Sequence, residues 1–268
     1  MGGHTTGVPA PTAETVAEAL RPLTEAPERA GIFLDVDGTL APIVQRAEDA
    51  AVSDKVARLL GALARRYRIV ACVSGRAAAD ARRLVGVGGI AYAGSHGAEL
   101  IEPGGSVADV LPAFATWTDR VREFARARDG SDLRRLRVRI EDKGPIAAFH
   151  WRGVPDEDAA RTRIEGIAHE AESEGYVTHW GRKVLEIRPP VPVDKGQAID
   201  ELVRRWGITS ALYAGDDATD LDAFEALGRL DHPVRVGVAS DEGPAAIVER
   251  ADLVVDGTDG VLAVLESL

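Results

Sequence analysis

The sequence predicts an α/β fold, a doubly wound parallel sheet interrupted by an inserted α+β unit. Three observations carry that expectation. Runs such as IFL at Ile32–Leu34 and IVACV at Ile69–Val73 are apolar at successive positions, as strands covered on both faces require. Amphipathic helical stretches separate these runs. Midway along the chain the text changes to strict alternation, RLRVRIE, the mark of an antiparallel strand with one exposed face.

Taken in order, residues 1–27 form an N-terminal tail, rich in Gly, Thr and Pro and expected to be disordered to about Pro11, and a short helix, ETVAEALRPL. IFLDV is the first strand. SDKVARLLGALARRY is an amphipathic helix with Ser53 as its N-cap. RIVACVS is a strand, AAADARRLVG a helix and GIAYAG a strand. After Glu102-Pro103-Gly104-Gly105 comes a helix from about Pro112 to Ala127. A hairpin follows, RLRVRIE with IAAFHW, turning at Lys-Gly-Pro. The helix DEDAARTRIEGIAHEAESE and the pair YVTHW and KVLEIR, joined at Gly181, complete this unit. DKGQAIDELVRRWG, SALYAGD, TDLDAFEALG, VRVGV and ADLVV restore the α/β rhythm, and GTDGVLAVLESL closes the chain. The main unit is therefore expected over 28–103 and 190–268, and the insert, lid-like, over 104–189.

Composition narrows the function. With 43 acidic and 32 basic residues, the formal charge of −11 argues against nucleic acid or an anionic membrane as partner. An anionic substrate would need a local cation. One cysteine, Cys72, excludes an internal disulfide framework. No apolar run approaches the roughly 20 residues of a membrane span, and no signal-peptide core precedes Gly31. Gly2 and Thr6 fit a short lipidation pattern that also matches widely by chance. The expectation is a cytoplasmic protein with a small-molecule substrate and no obligatory protein partner.

Chemistry collects where the strands end. Open α/β sheets bind ligands beyond the carboxyl ends of their strands. Here those ends read Asp35-Val36-Asp37-Gly38-Thr39, Ser74-Gly75-Arg76, Gly94-Ser95-His96-Gly97 and Gly215-Asp216-Asp217, with Asp220 three residues on. Lys195-Gly196 opens the helix after the insert. Asp35 and Asp37, two apart on an extended segment, are expected to face the same side. One can act as a nucleophile, forming an aspartyl-phosphate, and the other can donate a proton and later activate water. Clustered acids need a cation, and oxygen ligands at a phosphate site suggest Mg²⁺. Ser74 and Lys195 can hold phosphoryl oxygens. Asp194 reads as an N-cap, with Gln197 at the third helical position, so Lys195 would sit at a positive helix terminus.

DVDGTL, VSGR, the Lys-Gly and GDDATD resemble, in order, the four motifs of the haloacid-dehalogenase (HAD) superfamily. Within it, FLDVDGTLAPIV, GSHGAE, IEDKGPIAAFHWR, KVLEIRPPVPVDKG and GDDATDLDAF resemble the trehalose-6-phosphate phosphatases, over roughly Gly31 to the C-terminus. The resemblance implies a Rossmann-like HAD core with an inserted α+β cap and hydrolysis of trehalose 6-phosphate with Mg²⁺. It implies Asp35 as nucleophile and metal ligand, and Asp37 as general acid/base, coordinating through its backbone carbonyl. Asp216 is implied as the third metal ligand, with Asp217 and Asp220 acting through water or behind the ligands. Ser74 and Lys195 complete the catalytic set. Glu141, Lys143 and Glu186 match positions that grip sugar hydroxyls; Arg76, His96 and Glu99 match residues lining the same cavity. Leu221 departs from the family, which often has an acid there.

Plainer roles stand beside these. Arg137, Arg139 and Glu141 could form a solvated strand face. His96 could be a satisfied core histidine and Arg188 a hinge ion pair. His150, His169 and His179 lack metal spacing and read as structural; Trp151 and Trp180 read as core of the insert rather than sugar platforms. Rival activities are a phosphatase for another disaccharide or pseudo-disaccharide phosphate, namely sucrose 6-phosphate, glycosyl-phosphoglycerate or a trehalose-like aminocyclitol phosphate. A phosphotransferase and a sugar-phosphate-binding regulator without turnover are the remaining alternatives.

Overall fold

A computed structural model describes residues 10–44, 50–240 and 243–268. Gly2, Thr6 and most of the expected N-terminal tail lie outside them. The chain divides into two compact units, one ending at Ala108 and resuming at Asp194, the other Asp109–Val193. These limits fall a few residues C-terminal to those read from Pro103 and Pro189-Pro190.

Strands β1 (Ala30–Leu34), β2 (Ile69–Val73), β3 (Ala91–Gly94) and β4 (Glu99–Ile101) precede the second unit. That unit holds β5 (Asp109–Val110), β6 (Arg139–Asp142), β7 (Ala147–His150), β8 (Val177–Gly181) and β9 (Val184–Arg188). Strands β10 (Ser210–Gly215), β11 (His232–Ala239) and β12 (Leu253–Asp256) follow it. The helices are α1 (Ala13–Glu25), α2 (Asp54–Arg66), α3 (Ala78–Val85), α4 (Pro112–Arg128), α5 (Ser131–Arg135) and α6 (Glu157–Ser173). After the second unit come α7 (Lys195–Trp206), α8 (Asp220–Leu227), α9 (Ala245–Arg250) and α10 (Gly257–Glu266).

In the first unit the strands run β12-β11-β10-β1-β2-β3-β4. All pairs are parallel except β3 with β4. The chain leaves central β1 toward β2 and later returns to its other side at β10, so the topological switch lies at the carboxyl end of β1. Every residue of β1, β2 and β10 is buried, which is why these strands read as unbroken apolar runs. Ser53 caps α2, its side chain accepting from the Val56 amide. The leading helix α1 belongs to this core and not to a separate tail: Leu20 and Leu23 are fully buried with Ile32, Leu34 and Leu212.

The second unit is a four-stranded antiparallel sheet, order β6-β7-β9-β8. Register divides its faces. Ile140, Phe149, Leu185 and Trp180 pair across one row, and Phe149 and Leu185 join Phe124, Ile164 and Ile167 of α4 and α6 in a core of their own. Glu141, Ala148, Glu186 and His179 form the next row, on the opposite face. The first strand is shorter than the alternation RLRVRIE predicts. Arg134 and Arg135 end the short helix α5, which buries Leu133, and Arg137 takes a left-handed φ of 56°, so pairing begins only at Arg139.

Charge is divided unevenly. Residues 109–193 contain fifteen acidic and fifteen basic side chains, so the formal −11 belongs to the first unit. Among the described residues no helix is long and apolar enough to cross a membrane.

Candidate active site

Strand β1 ends at Leu34, two residues short of the reading from sequence. The amide of Asp35 still donates to the Ala214 carbonyl of β10 (2.9 Å), fixing the first carboxylate at the switch point. The chain then folds back on itself. Leu40 and Ala41 both donate to the Val36 carbonyl, and Gly38 donates to that of Ala41. Gly38 has φ +86°, and a Cβ there would lie 2.2 Å from an Asp216 carboxylate oxygen. Only glycine lets this loop pass so close to the second acid.

Lys195 is the centre of the buried charge. Asp194 caps α7 as expected, accepting from the Gln197 amide at 2.8 Å, and this sets Lys195 on the first turn. Its Nζ donates to Asp35 Oδ1 (2.7 Å) and Asp220 Oδ1 (2.6 Å). Asp220 is fully buried and bonded on both oxygens. Oδ1 also accepts from the Tyr213 hydroxyl (2.6 Å), and Oδ2 accepts from the amides of Asp216 and Asp217, each at 2.9 Å. One carboxylate thus holds the lysine and the loop that carries Asp216.

The electrostatics follow from depth. Burial raises the carboxyl of Asp35 well above the usual range, against the pull of Lys195 and reinforced by Asp220 and Asp216. Asp216 is pushed up to about 7 by burial and by Asp220 and Asp217, opposed by Lys195 and by a long Thr39 bond. Burial works against the Lys195 ammonium, but Asp220 and Asp35 outweigh it and raise its pKa. Burial also opposes the charge of Asp217, yet Lys195 and two bonds from Thr219 bring its pKa below the ordinary value.

This donor set fits a hard divalent cation. Oxygens of Asp35, Asp216 and Asp220 lie within 4.8 Å of one another, with one ammonium among three carboxylates. Asp220 has both oxygens committed, whereas the described bonds of Asp35 and Asp216 fall on one oxygen each. Asp35 and Asp216 are therefore the side chains suited to ligate, and Asp220 holds them in place.

Asp37 lies in the turn beyond the end of β1, bridged to Ala41. Asp37 is 43% exposed and clamped bidentately by Arg76, Nε to Oδ2 and Nη2 to Oδ1, both 2.6 Å. Ser74 is buried at the end of β2, its Oγ accepting from the Arg76 amide (3.1 Å) and its carbonyl from the His96 amide. Ser95 and His96 are successive left-handed residues, φ 51° and 58°, and the His96 ring fills the space a Cβ at Gly75 would need. Glu99 is buried, and its Oε1 accepts from the Ala78 amide at the start of α3 (2.7 Å) and from Ser95 Oγ (3.0 Å).

On the polar sheet face of the second unit, Glu186 is buried between two cations. Lys143 Nζ donates to Oε1 (2.9 Å) and Arg188 donates twice to Oε2. Glu141 bonds His150 Nε2 (2.7 Å), and that bond, with Lys143 helping against burial, lowers its carboxyl pKa. The partnership of His150 was legible only in hairpin register, because it sits two rungs from Glu141 on the same face. Tyr213 gave no signal, being one aromatic in an apolar strand. Trp151 belongs to the unit's core and meets Trp180 edge-on at 5.9 Å; Trp180 is half-exposed.

Comparison with known proteins agrees with this geometry. A family profile described as trehalose-phosphatase matches residues 33–251. A trehalose-phosphate phosphatase of Mycolicibacterium paratuberculosis is 38% identical over 212 residues, which are 73% of this chain and 51% of that protein. An uncharacterized glycosyl hydrolase of Mycobacterium tuberculosis is 38% identical over 216 residues, 74% of this chain and 15% of the relative. The chain thus spans about half or less of the length of these curated relatives. Among solved structures, a trehalose-6-phosphate phosphatase related protein superposes with TM-score 0.67 at 28% identity, covering 88% of this chain and 95% of that one. The trehalose-6-phosphate phosphatase of Aspergillus fumigatus gives 0.62 at 26%, covering 97% and 98%.

Proposed function

The chain belongs to the trehalose-phosphatase family, and from that premise we propose that it hydrolyses trehalose 6-phosphate to trehalose and phosphate, with Mg²⁺, through an aspartyl-phosphate on Asp35. The observation that carries this reading is the buried Asp35–Lys195–Asp220 chain beside Asp216, at the switch point of the sheet.

Asp35 attacks phosphorus as the bond to the sugar oxygen breaks. Asp37 gives its proton to that oxygen, which leaves as the sugar hydroxyl. Water then adds to the acyl phosphate with Asp37 taking its proton, and inorganic phosphate leaves with Asp35 restored. Arg76 grips the Asp37 carboxyl group through two bonds and so orients it for these transfers. Lys195 and Ser74 hold phosphoryl oxygens, where developing charge is stabilised most. The carboxylates of Asp35 and Asp216 and the backbone carbonyl of Asp37 would hold Mg²⁺, which would supply positive charge that lets the acids and the phosphate share one site.

Sugar recognition falls to Glu141, Lys143 and Glu186 in the second unit, where the His150 bond lowers the Glu141 carboxyl pKa and Lys143 and Arg188 hold Glu186 as a hydroxyl acceptor. In the first unit the His96 ring stands against Gly75, and Glu99 holds Ser95 and the start of α3. We place the enzyme in the cytoplasm, with no obligatory protein partner; its one thiol, Cys72, is buried and needs no oxidising compartment.

The test is phosphate release from trehalose 6-phosphate, sucrose 6-phosphate, glucose 6-phosphate and a glycosyl-phosphoglycerate. Selective turnover of trehalose 6-phosphate is expected, abolished by Asp35→Asn and by EDTA. Metal-dependent turnover of other members only would overturn the substrate, and no turnover at all would overturn the phosphatase.

A further inference from the structure

Buried hydroxyls cost free energy unless they are bonded, and a tyrosine inside a central strand could be a phenylalanine at no loss of packing. Tyr213 stands in the middle of β10, paired in register with Phe33 of β1, fully buried, and edge-on to Phe224 of α8 at 6.0 Å. Its hydroxyl has a side-chain partner. It donates to Asp220 Oδ1, the same oxygen that accepts from Lys195 Nζ.

We infer that Tyr213 is a positioning residue for the nucleophile, fixing through its hydroxyl the Asp220 carboxylate that holds the Lys195 ammonium against Asp35. The chain of contacts is Tyr213 Oη to Asp220 Oδ1 (2.6 Å), Asp220 Oδ1 to Lys195 Nζ (2.6 Å) and Lys195 Nζ to Asp35 Oδ1 (2.7 Å). Every member is buried. Two backbone amides secure Asp220 Oδ2, but they do not fix how Oδ1 is shared. A lysine ammonium has three rotatable donors on a flexible stem and is easily redirected. A second strong donor on Oδ1, carried by a rigid ring in the sheet, removes that freedom. Burial and the nearby Asp220 and Asp35 hold the phenol well above its ordinary pKa, so it stays a donor.

The consequence for catalysis rests on the phosphatase reading above. Lys195 placed by this relay meets the phosphoryl oxygen where charge develops, so its loss falls on kcat more than on KM.

The experiment compares wild type, Tyr213→Phe and Phe224→Leu. Turnover is read on the sugar-phosphate panel, and the ¹⁵N-labelled lysine ammonium signals by NMR. The chain has only four lysines, Lys55, Lys143, Lys183 and Lys195, so the Lys195 signal can be assigned with Lys195→Arg. Tyr213→Phe is expected to lower kcat about tenfold or more with KM within about twofold, as loss of a transition-state interaction requires. The Lys195 signal should move or exchange faster with water, and Phe224→Leu, which loosens the ring contact and leaves the hydroxyl, should do neither. Unchanged kcat and an unchanged Lys195 signal in Tyr213→Phe would overturn the inference. So would the same kcat loss in Phe224→Leu, since packing would then be the cause. If wild type turns over nothing in the panel, the phosphatase reading fails, and the Lys195 signal alone decides the relay. Should Tyr213→Phe not fold, 3-fluorotyrosine at position 213 keeps the ring and sharpens the donor. It must then shift the same signal, and an unmoved signal overturns the relay.

Discussion

Asp216→Asn should stabilise the metal-free protein, by an amount that grows from about pH 4 and is complete above about pH 7. Asp216 ordinarily ionises near 3.8 but is held up to about 7 by burial and by Asp220 and Asp217. Between those values the folded protein keeps a proton that the unfolded chain has released. Stability therefore falls as pH rises through that window, and the fall is complete above pH 7. The difference amounts to about 4 kcal/mol at ~1.4 kcal/mol for each tenfold change in proton affinity. The asparagine cannot ionise and escapes the penalty. In EDTA the variant and wild type should unfold together near pH 4. By pH 8 the variant should be ahead by as much as about 4 kcal/mol, or roughly 10 °C in melting temperature for a chain of this size. Urea and thermal melts at half-unit pH steps read this directly. Saturating Mg²⁺ should raise the wild-type midpoint and leave the variant nearly unmoved, because a ligand stabilises only the state that binds it. A variant less stable than wild type at pH 8 in EDTA, or a difference flat from pH 4 to 8, would refute the account of Asp216 as an acid awaiting a cation.

Two further predictions follow from neighbouring contacts. Arg76→Met should lower turnover of sugar phosphates about tenfold or more, the scale of general acid–base assistance, yet spare aryl phosphates whose leaving groups need no proton. Equal losses on both, measured as kcat/KM, would show that Arg76 acts on the phosphoryl group and not through Asp37. Gly38→Ala should destabilise the protein by about 3 kcal/mol, combining a left-handed φ with a methyl overlapping the Asp216 carboxylate. A thermal melt within 2 °C of wild type, taken as about the smallest shift that counts, would show the loop relaxes freely.

Much of this site could be read from sequence because strand ends concentrate it. Asp35, Ser74 and Asp216 each follow an apolar run directly and His96 follows one after a single serine, and a polar side chain there has no packing role to explain it. The Asp194 cap was equally plain, since the capping pattern is local in sequence. What sequence hid was pairing over distance. Asp37 with Arg76, Glu141 with His150 and Tyr213 with Asp220 each depend on register or loop direction, which no single segment encodes. The alternation RLRVRIE misled for a related reason. Its apolar positions do turn inward, with Leu136, Val138 and Ile140 against the second unit's core, but Ser131-Asp132 favours a helical turn first. The inner face was right and the strand half as long.

The uneven charge bears on how a substrate arrives. All of the formal −11 lies on the unit that holds Asp35 and Asp216, while the inserted unit is neutral. A sugar phosphate carries two negative charges near neutrality, so it approaches against the far field and is captured only within a few ångströms of local cations. Dissolved salt, which slows enzymes that draw their substrates in from a distance, should here shorten the wait between encounters by screening that repulsion within about 10 Å at 0.1 M. For such a protein, reach matters less than grip.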